Sequence, residues 1–170
     1  NTAVGHQAGN AVTTGIFNTI IGGLAGDALT DADYNVAVGK SALTTETLGS
    51  RSTAIGTSAL SNQNNTTATD VYNTAVGFEA GGSVTTGVQN TLIGAQVGDA
   101  LTDADFNTAI GYLALSTDTL GSKSTAIGYA ALKDQNFTTA TDSFNVAVGH
   151  LAAENITTGI LNTIVGAQAG

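Results

Sequence analysis

One short pattern occurs ten times in this chain of 170 residues: Asn or Ser, then Thr or Val, then two apolar residues, then Gly. The copies begin at Asn1, Asn18, Asn35, Ser52, Asn73, Asn90, Asn107, Ser124, Asn145 and Asn162. They lie 17 residues apart, except that 21 residues separate Ser52 from Asn73 and Ser124 from Asn145. A fixed period this short is the mark of one structural rung stacked on itself. It predicts an all-β, parallel β-solenoid of about ten rungs, a rod and not a globule.

A longer period overlies the first. Three rungs of 17 and one of 21 make a block of 72, and residues 1–72 match residues 73–144 at 47 of 72 positions. Residues 145–170 begin a third block. The whole chain therefore reads as a single repeat segment. Stacked repeats need polar caps at their ends, and open strand edges invite pairing. Neither end carries a recognisable cap sequence, so the expectation is a piece of a longer fibre.

Each rung reads as strand, bend, strand. Gly5 and its nine counterparts sit at a fixed place in a β pattern, which marks a bend or a close backbone approach. The preceding residue is always Val or Ile, which suits a pleated, half-buried surface. Ala8 and its counterparts are Ala or, once, Val97, as a narrow lumen requires. Along a strand side chains alternate between faces, so Thr2 and Val4 share one face and Ala3 takes the other. Both faces are largely apolar. One fits the lumen; the other calls for a cover. Ordering each rung has a large entropic cost, which burial of residues such as Val4, Val12, Ile16 and Phe17 barely offsets. The expectation is an obligate homo-oligomer, with rods packed side by side. Asn at the rung start tolerates turn conformations and suits a hydrogen-bonded ladder. The aromatic residues before it (Phe17, Tyr34, Tyr72, Phe106, Phe144) are expected to pack the rung corner.

Composition excludes several functions. Four basic residues against thirteen acidic ones give a net charge of -9, which repels phosphate backbones and argues against nucleic acid. There is no cysteine, hence no disulfide and no thiolate metal site. No apolar run reaches the roughly 18–20 residues that would insert in a membrane.

The segments Asn107-Thr-Ala-Ile-Gly111, Ser124-Thr-Ala-Ile-Gly-Tyr-Ala-Ala-Leu132 and Asn145-Val-Ala-Val-Gly149 resemble the head repeats of YadA-like trimeric autotransporter adhesins. They equally resemble related repeats of phage tail fibres. The resemblance covers all ten rungs. It implies a left-handed β-roll, a homotrimer, an extracellular location on a cell or virion, and attachment to a surface carbohydrate or protein receptor. The rungs here are longer than those typical of the adhesin heads.

Candidate chemistry is sparse. Asp27, Asp31 and Asp33, and again Asp99, Asp103 and Asp105, form acid-rich turns. Ca²⁺ favours several oxygen ligands, but the spacing fits no known Ca²⁺ loop, and solvated turns are expected. His6 and His150 read as surface residues. Glu46, Glu79, Asp118 and Glu154 fall at scattered rung positions and form no glycosidase pair, so no catalytic, cofactor or metal residue is assigned and no enzyme is expected. The longer loops Ser61–Tyr72 and Lys133–Phe144 are the better candidates for binding, since function tends to sit on loops. Asn64, Asn65, Asn136 and Asn155 open tripeptides of the N-glycosylation type. The alternatives to an attachment fibre are a polysaccharide-degrading solenoid or an ice-binding one. The second is suggested by the ladder Thr2, Thr19, Thr53, Thr74, Thr91, Thr108, Thr125 and Thr163, which Val36 and Val146 interrupt.

Overall fold

The computed structural model describes residues 1–170. It contains fourteen short β-strands and no helix. Ten of them are the repeated tripeptides: β1 (Thr2–Val4), β2 (Thr19–Ile21), β3 (Val36–Val38), β5 (Thr53–Ile55), β7 (Thr74–Val76), β8 (Thr91–Ile93), β9 (Thr108–Ile110), β11 (Thr125–Ile127), β13 (Val146–Val148) and β14 (Thr163–Val165). They form one parallel sheet in chain order. Register follows the sequence period residue for residue: Thr74 lies beside Thr91, Ala75 beside Leu92, Val76 beside Ile93. The 21-residue rungs stay in register, with Thr53 beside Thr74 and Thr125 beside Val146. Their loops add two small parallel sheets, β4 (Gly49–Ser50) with β6 (Thr69–Asp70) and β10 (Gly121–Ser122) with β12 (Thr141–Asp142). The fold is thus a parallel β-solenoid of about ten turns.

The ladder is not confined to strands. Of 96 backbone hydrogen bonds, 76 lie outside regular strands, and many join a bend to the equivalent bend one rung away. Leu24 N–H donates to His6 C=O, Ala11 N–H to Asp27 C=O and Thr13 N–H to Thr30 C=O. Rungs are therefore zipped to their neighbours on every side.

The lumen is filled by the middle strand residue (Ile20, Ala37, Ala54, Ala75, Leu92, Ala109, Ala126, Ala147), by the alanine column (Ala25, Ala42, Ala59, Ala80, Ala114, Ala131, Ala152) with Val97, and by leucines such as Leu29, Leu60 and Leu101. All are closed to solvent. The repeated glycine is required. Gly22 has φ +134, and a Cβ there would stand 2.5 Å from the carbonyl oxygen of Gly39. Its own N–H donates to Val4 C=O on the preceding rung. A side chain would collide with the ladder itself.

Three expectations need correction. Val4, Ile16 and Phe17 are not buried in the single chain; they are 58%, 47% and 64% exposed. The strand face carrying Val4 points outward, and only the middle residue faces the lumen. Secondly, the left-handed residue of the corner is not Asn but the residue before it. Phe17, Tyr34, Arg51, Tyr72, Gln89, Phe106, Lys123, Phe144 and Leu161 have φ between 50 and 66. Thirdly, the aromatic corner residues are exposed; Phe17 stacks on Tyr34, and Tyr34, Tyr72 and Phe144 lie beside the cations Arg51 and Lys123 rather than packing inward.

Candidate interaction surfaces and buried carboxylate sites

Asn opens eight of the ten rungs, and its side chain serves two rungs at once. Asn18 Oδ1 accepts the backbone N–H of Asn35 at 2.8 Å, and its Nδ2 donates to Ala32 C=O at 2.7 Å. Asn35, Asn73, Asn90, Asn107 and Asn145 repeat the arrangement. Buried polar groups need such partners.

At Ser52 and Ser124 the side chain is too short to continue the ladder, and a buried carboxylate takes over. Glu46, fully closed to solvent, accepts backbone N–H groups from Thr47, Leu48, Gly49 and Asn65 through Oε1 at 2.7–3.2 Å. Its Oε2 accepts from the amides of Gln63 and Asn65, both at 2.9 Å. Gln63 also donates to Ser52 Oγ and accepts from Asn73 Nδ2, which returns the network to the Asn ladder. One block later Asp118 does the same with fewer donors: Gly121 N–H, Phe137 N–H and Gln135 Nε2. Gln135 reaches Ser124 and receives Asn145. Glu46 and Asp118 are 72 residues apart and so are equivalent, not scattered. That offset was the signal in the sequence, together with Gln63 and Gln135 at the same offset.

These networks anchor the roots of the long loops, Ser61–Tyr72 and Lys133–Phe144. Gln63, Asn65, Val71, Gln135, Phe137 and Ser143 are buried, while the tips Thr66 to Ala68 and Thr138 to Ala140 are exposed, as are Asp70, Tyr72, Asp142 and Phe144 near the loop ends. Asn65 is bound to Glu46 and is no acceptor for a glycan.

The acid-rich turns do not converge on a common point. Asp31 accepts from Thr14 Oγ1 at 2.5 Å, Asp33 from Ile16 N–H at 2.8 Å and Asp27 from Thr44 Oγ1 at 2.6 Å. Asp103 and Asp105 repeat the first two, toward Thr86 and Val88. Each ties a neighbouring rung's bend, and no group of three His, Asp or Glu side chains is placed to hold a metal ion. Asp99, the counterpart of Asp27, differs. Its Oδ1 is buried and has no hydrogen-bond partner; Ser116 stands on the following rung where Thr44 bonds Asp27, but makes no such bond. Asp99 lines a polar hollow of ≈ 260 Å³ with Ser58, Ser61, Asn62, Glu79, Gly82 and Ser83. Loss of solvent raises its pKa above the ordinary carboxylate value; the Glu79 charge adds to this and its own backbone N–H opposes it.

Three exposed columns run along the rod. The corner column alternates rings and cations: Phe17 stacks on Tyr34 at 5.1 Å, Arg51 lies 4.8 Å from the Tyr34 ring and 5.9 Å from Tyr72, and Lys123 lies 5.2 Å from Phe144. Arg51 also bonds Asp70 and Lys123 bonds Asp142. Beyond the glycine, Tyr129 meets Tyr112 in a tilted pair at 5.9 Å and stacks on exposed His150 at 4.9 Å; His6, at the rod's other end, is exposed as well. On the outer sheet face the Val/Ile column includes Ile21, Ile55 and Ile93, each 38–39% exposed. Beside it stands the Thr column, whose eight hydroxyls form no hydrogen bond within the chain, unlike loop threonines such as Thr14 and Thr86. No helix is long and apolar enough to cross a membrane.

Comparison with known protein families, with curated proteins and with solved structures finds no match to this chain.

Proposed function

We propose that this chain is a structural segment of an extracellular attachment fibre, of the adhesin or phage tail-fibre kind, in which copies pack side by side, three together by the sequence resemblance. The observation that carries this reading is the outer face of the ten-stranded sheet: an unbroken column of Val and Ile that a single chain leaves 38–68% exposed at its most open positions. Burying such residues is worth roughly 1.5–3 kcal/mol each, and a straight column of ten suits a straight partner. Attachment to a carbohydrate or protein receptor follows from the resemblance and from the multiplicity that a bundle of identical rods provides. Scaffolding is favoured over catalysis because Glu46 and Asp118 sit inside the rod and engage backbone donors.

Sedimentation and electron microscopy test the assembly. A trimeric rod gaining about 49 Å per ten rungs is the expected outcome; a folded monomer at micromolar concentration overturns it. Beads coated with the purified segment should adhere to host cells, and failure to do so removes the attachment role.

One observation favours a second reading. The unbonded Thr hydroxyls stand in register beside a methyl column, an ordered array of the kind an ice-binding face requires. Thermal hysteresis in the purified chain would support that reading, and its absence would remove it.

A further inference from the structure

The corner column is built against the preference of its own backbone. All nine residues from Phe17 to Leu161 hold left-handed φ between 50 and 66, a conformation that a Cβ disfavours and that Gly or Asn ordinarily takes. None of the nine is Gly or Asn, and five are aromatic: Phe17, Tyr34, Tyr72, Phe106 and Phe144. The backbone does not ask for rings. The other left-handed column, which begins at Gln7 and ends at Gln168, keeps the same conformation on all ten rungs and holds no aromatic residue. The lumen does not ask for them either, since the five rings are 46–64% exposed. Neither the coil nor its core accounts for this column.

Its neighbours point to a use. Phe106 lies two residues before Thr108 in the chain, and Thr108 two before Ile110. The corner, the Thr column and the Val/Ile column therefore run side by side along the rod, with the unbonded Thr hydroxyls in the middle. A partner that follows these columns from rung to rung must itself repeat at the rung spacing of about 4.7–4.9 Å. A second copy of this chain, parallel and in register, meets that condition. The area suits it as well. A stable contact covers about 800 Å² on each partner, and five half-exposed aromatic side chains offer roughly 400–600 Å² of it. The two cations of the column are no obstacle. Arg51 is neutralised in cis by Asp70 and Lys123 by Asp142, so covering them leaves no charge unpaired.

We propose that the corner column is one edge of the contact between copies, with the rings of each copy seated against the Val/Ile column of the next. This rests on the side-by-side packing of three copies proposed above and names the second surface in it. Copies in a closed three-membered ring meet through two unlike edges. The corner and the Val/Ile column are the two edges of this strip. The Thr column then lies between them, toward the axis, where its hydroxyls meet the other copies.

The chain has no cysteine, so introduced pairs report the contact directly. Phe106→Cys with Ile110→Cys, oxidised in the full chain, should give covalent species of two and three copies on denaturing gels without reductant. Each single variant should give none, because each column meets the other and not itself. Phe106→Ser with Phe144→Ser should raise the concentration for half-assembly at least about tenfold. Circular dichroism should show its β-fold unchanged, as both side chains are exposed; an unchanged assembly concentration overturns the proposal. Crosslinks as strong in Phe106→Cys alone would mean that ring meets ring, which overturns the pairing of columns. Assembled chains in sedimentation without crosslinks in the double cysteine variant would place the corner outside the contact, open to a receptor, and overturn this inference alone. A monomer in sedimentation overturns it together with the packing on which it rests.

Discussion

At the scale of single residues, the rung start shows how one side chain secures two turns of the coil. Asn90 accepts the N–H of Asn107 at 2.9 Å and donates to Ala104 C=O at 2.7 Å, fully buried. Asn90→Ala leaves both groups without partners, at about 1–3 kcal/mol for each. A loss of about 3 kcal/mol in urea unfolding is expected, well above the cost of a surface substitution. Asn90→Asp keeps the acceptor and loses the donor, so it should fall between wild type and Ala. Asp99 gives a pH signature of opposite sign to that of a paired acid. Its folded pKa lies above the unfolded value, chiefly through desolvation and further through Glu79. The folded state then holds the proton more tightly than the unfolded state, so stability falls as pH rises from the unfolded pKa through the folded one. The groups facing it are Glu79, the hydroxyls of Ser58, Ser61 and Ser83, and Asn62. Urea midpoints measured across the acid range should show this decline in wild type, and Asp99→Asn should flatten it.

At the scale of elements, the fourth rung of each block solves one problem in two ways. In the first block a longer acid, Glu46, meets Asn65; in the second a shorter acid, Asp118, meets Phe137, whose ring fills space that the amide occupies in the first. The two positions are therefore coupled. Glu46→Asp alone should destabilise, because the shortened carboxylate abandons Asn65 Nδ2 or the backbone donors. Asn65→Phe alone should destabilise too, by overpacking and by the loss of a donor. The double variant reproduces the second block and should recover part of the loss, with an interaction energy of about 0.5–3 kcal/mol in a double-mutant cycle. Strict additivity would show that the two blocks do not share this logic. Much of the fold was legible in the sequence at this level: strand position, parallel register, the glycine bend and the small-residue lumen all follow from the 17-residue period. The carboxylate networks were not read from it, because a buried acid without a nearby basic residue looks like a surface acid in composition. The cage is made of backbone N–H groups, which no sequence pattern displays. The outward direction of Val4 was also missed, since alternation shows which residues share a face but not which face is inside. Left-handed Phe17 and Tyr34 escaped notice for a similar reason. Asn is the residue usually suspected of that conformation, and the ring–cation stacking along the corner became visible only in three dimensions.

At the scale of the whole molecule, the rod is close to one-dimensional, and that governs how damage spreads. Each rung touches only its two neighbours, so stability is a sum of rung terms and interface terms. The repeated glycine allows a clean comparison, because the local insult is the same at every copy. A Cβ on Gly5 would lie 2.5 Å from Gly22 O, and one on Gly94 would lie 2.6 Å from Gly111 O. Both residues also hold positive φ, at 137 and 141. In a compact globule two equal clashes would cost about the same. In a stacked rod they should not. The rung of Gly5 rests on one neighbour and β1 is exposed along its whole length, so Gly5→Ala is relieved by fraying that one rung. The rung of Gly94 has a neighbour on each side, and Gly94 directly follows β8, whose middle residue, Leu92, is closed to solvent. Fraying cannot relieve Gly94→Ala without opening the coil in its middle. Amide hydrogen exchange should therefore show Gly5→Ala losing protection only in the first rung or two. Gly94→Ala should lose protection in the rungs on both sides of residue 94 and should lower the melting temperature of the whole chain. Equal and global loss in both variants would mean that the rungs fold as one indivisible unit, and the nearest-neighbour account of this solenoid would have to be abandoned.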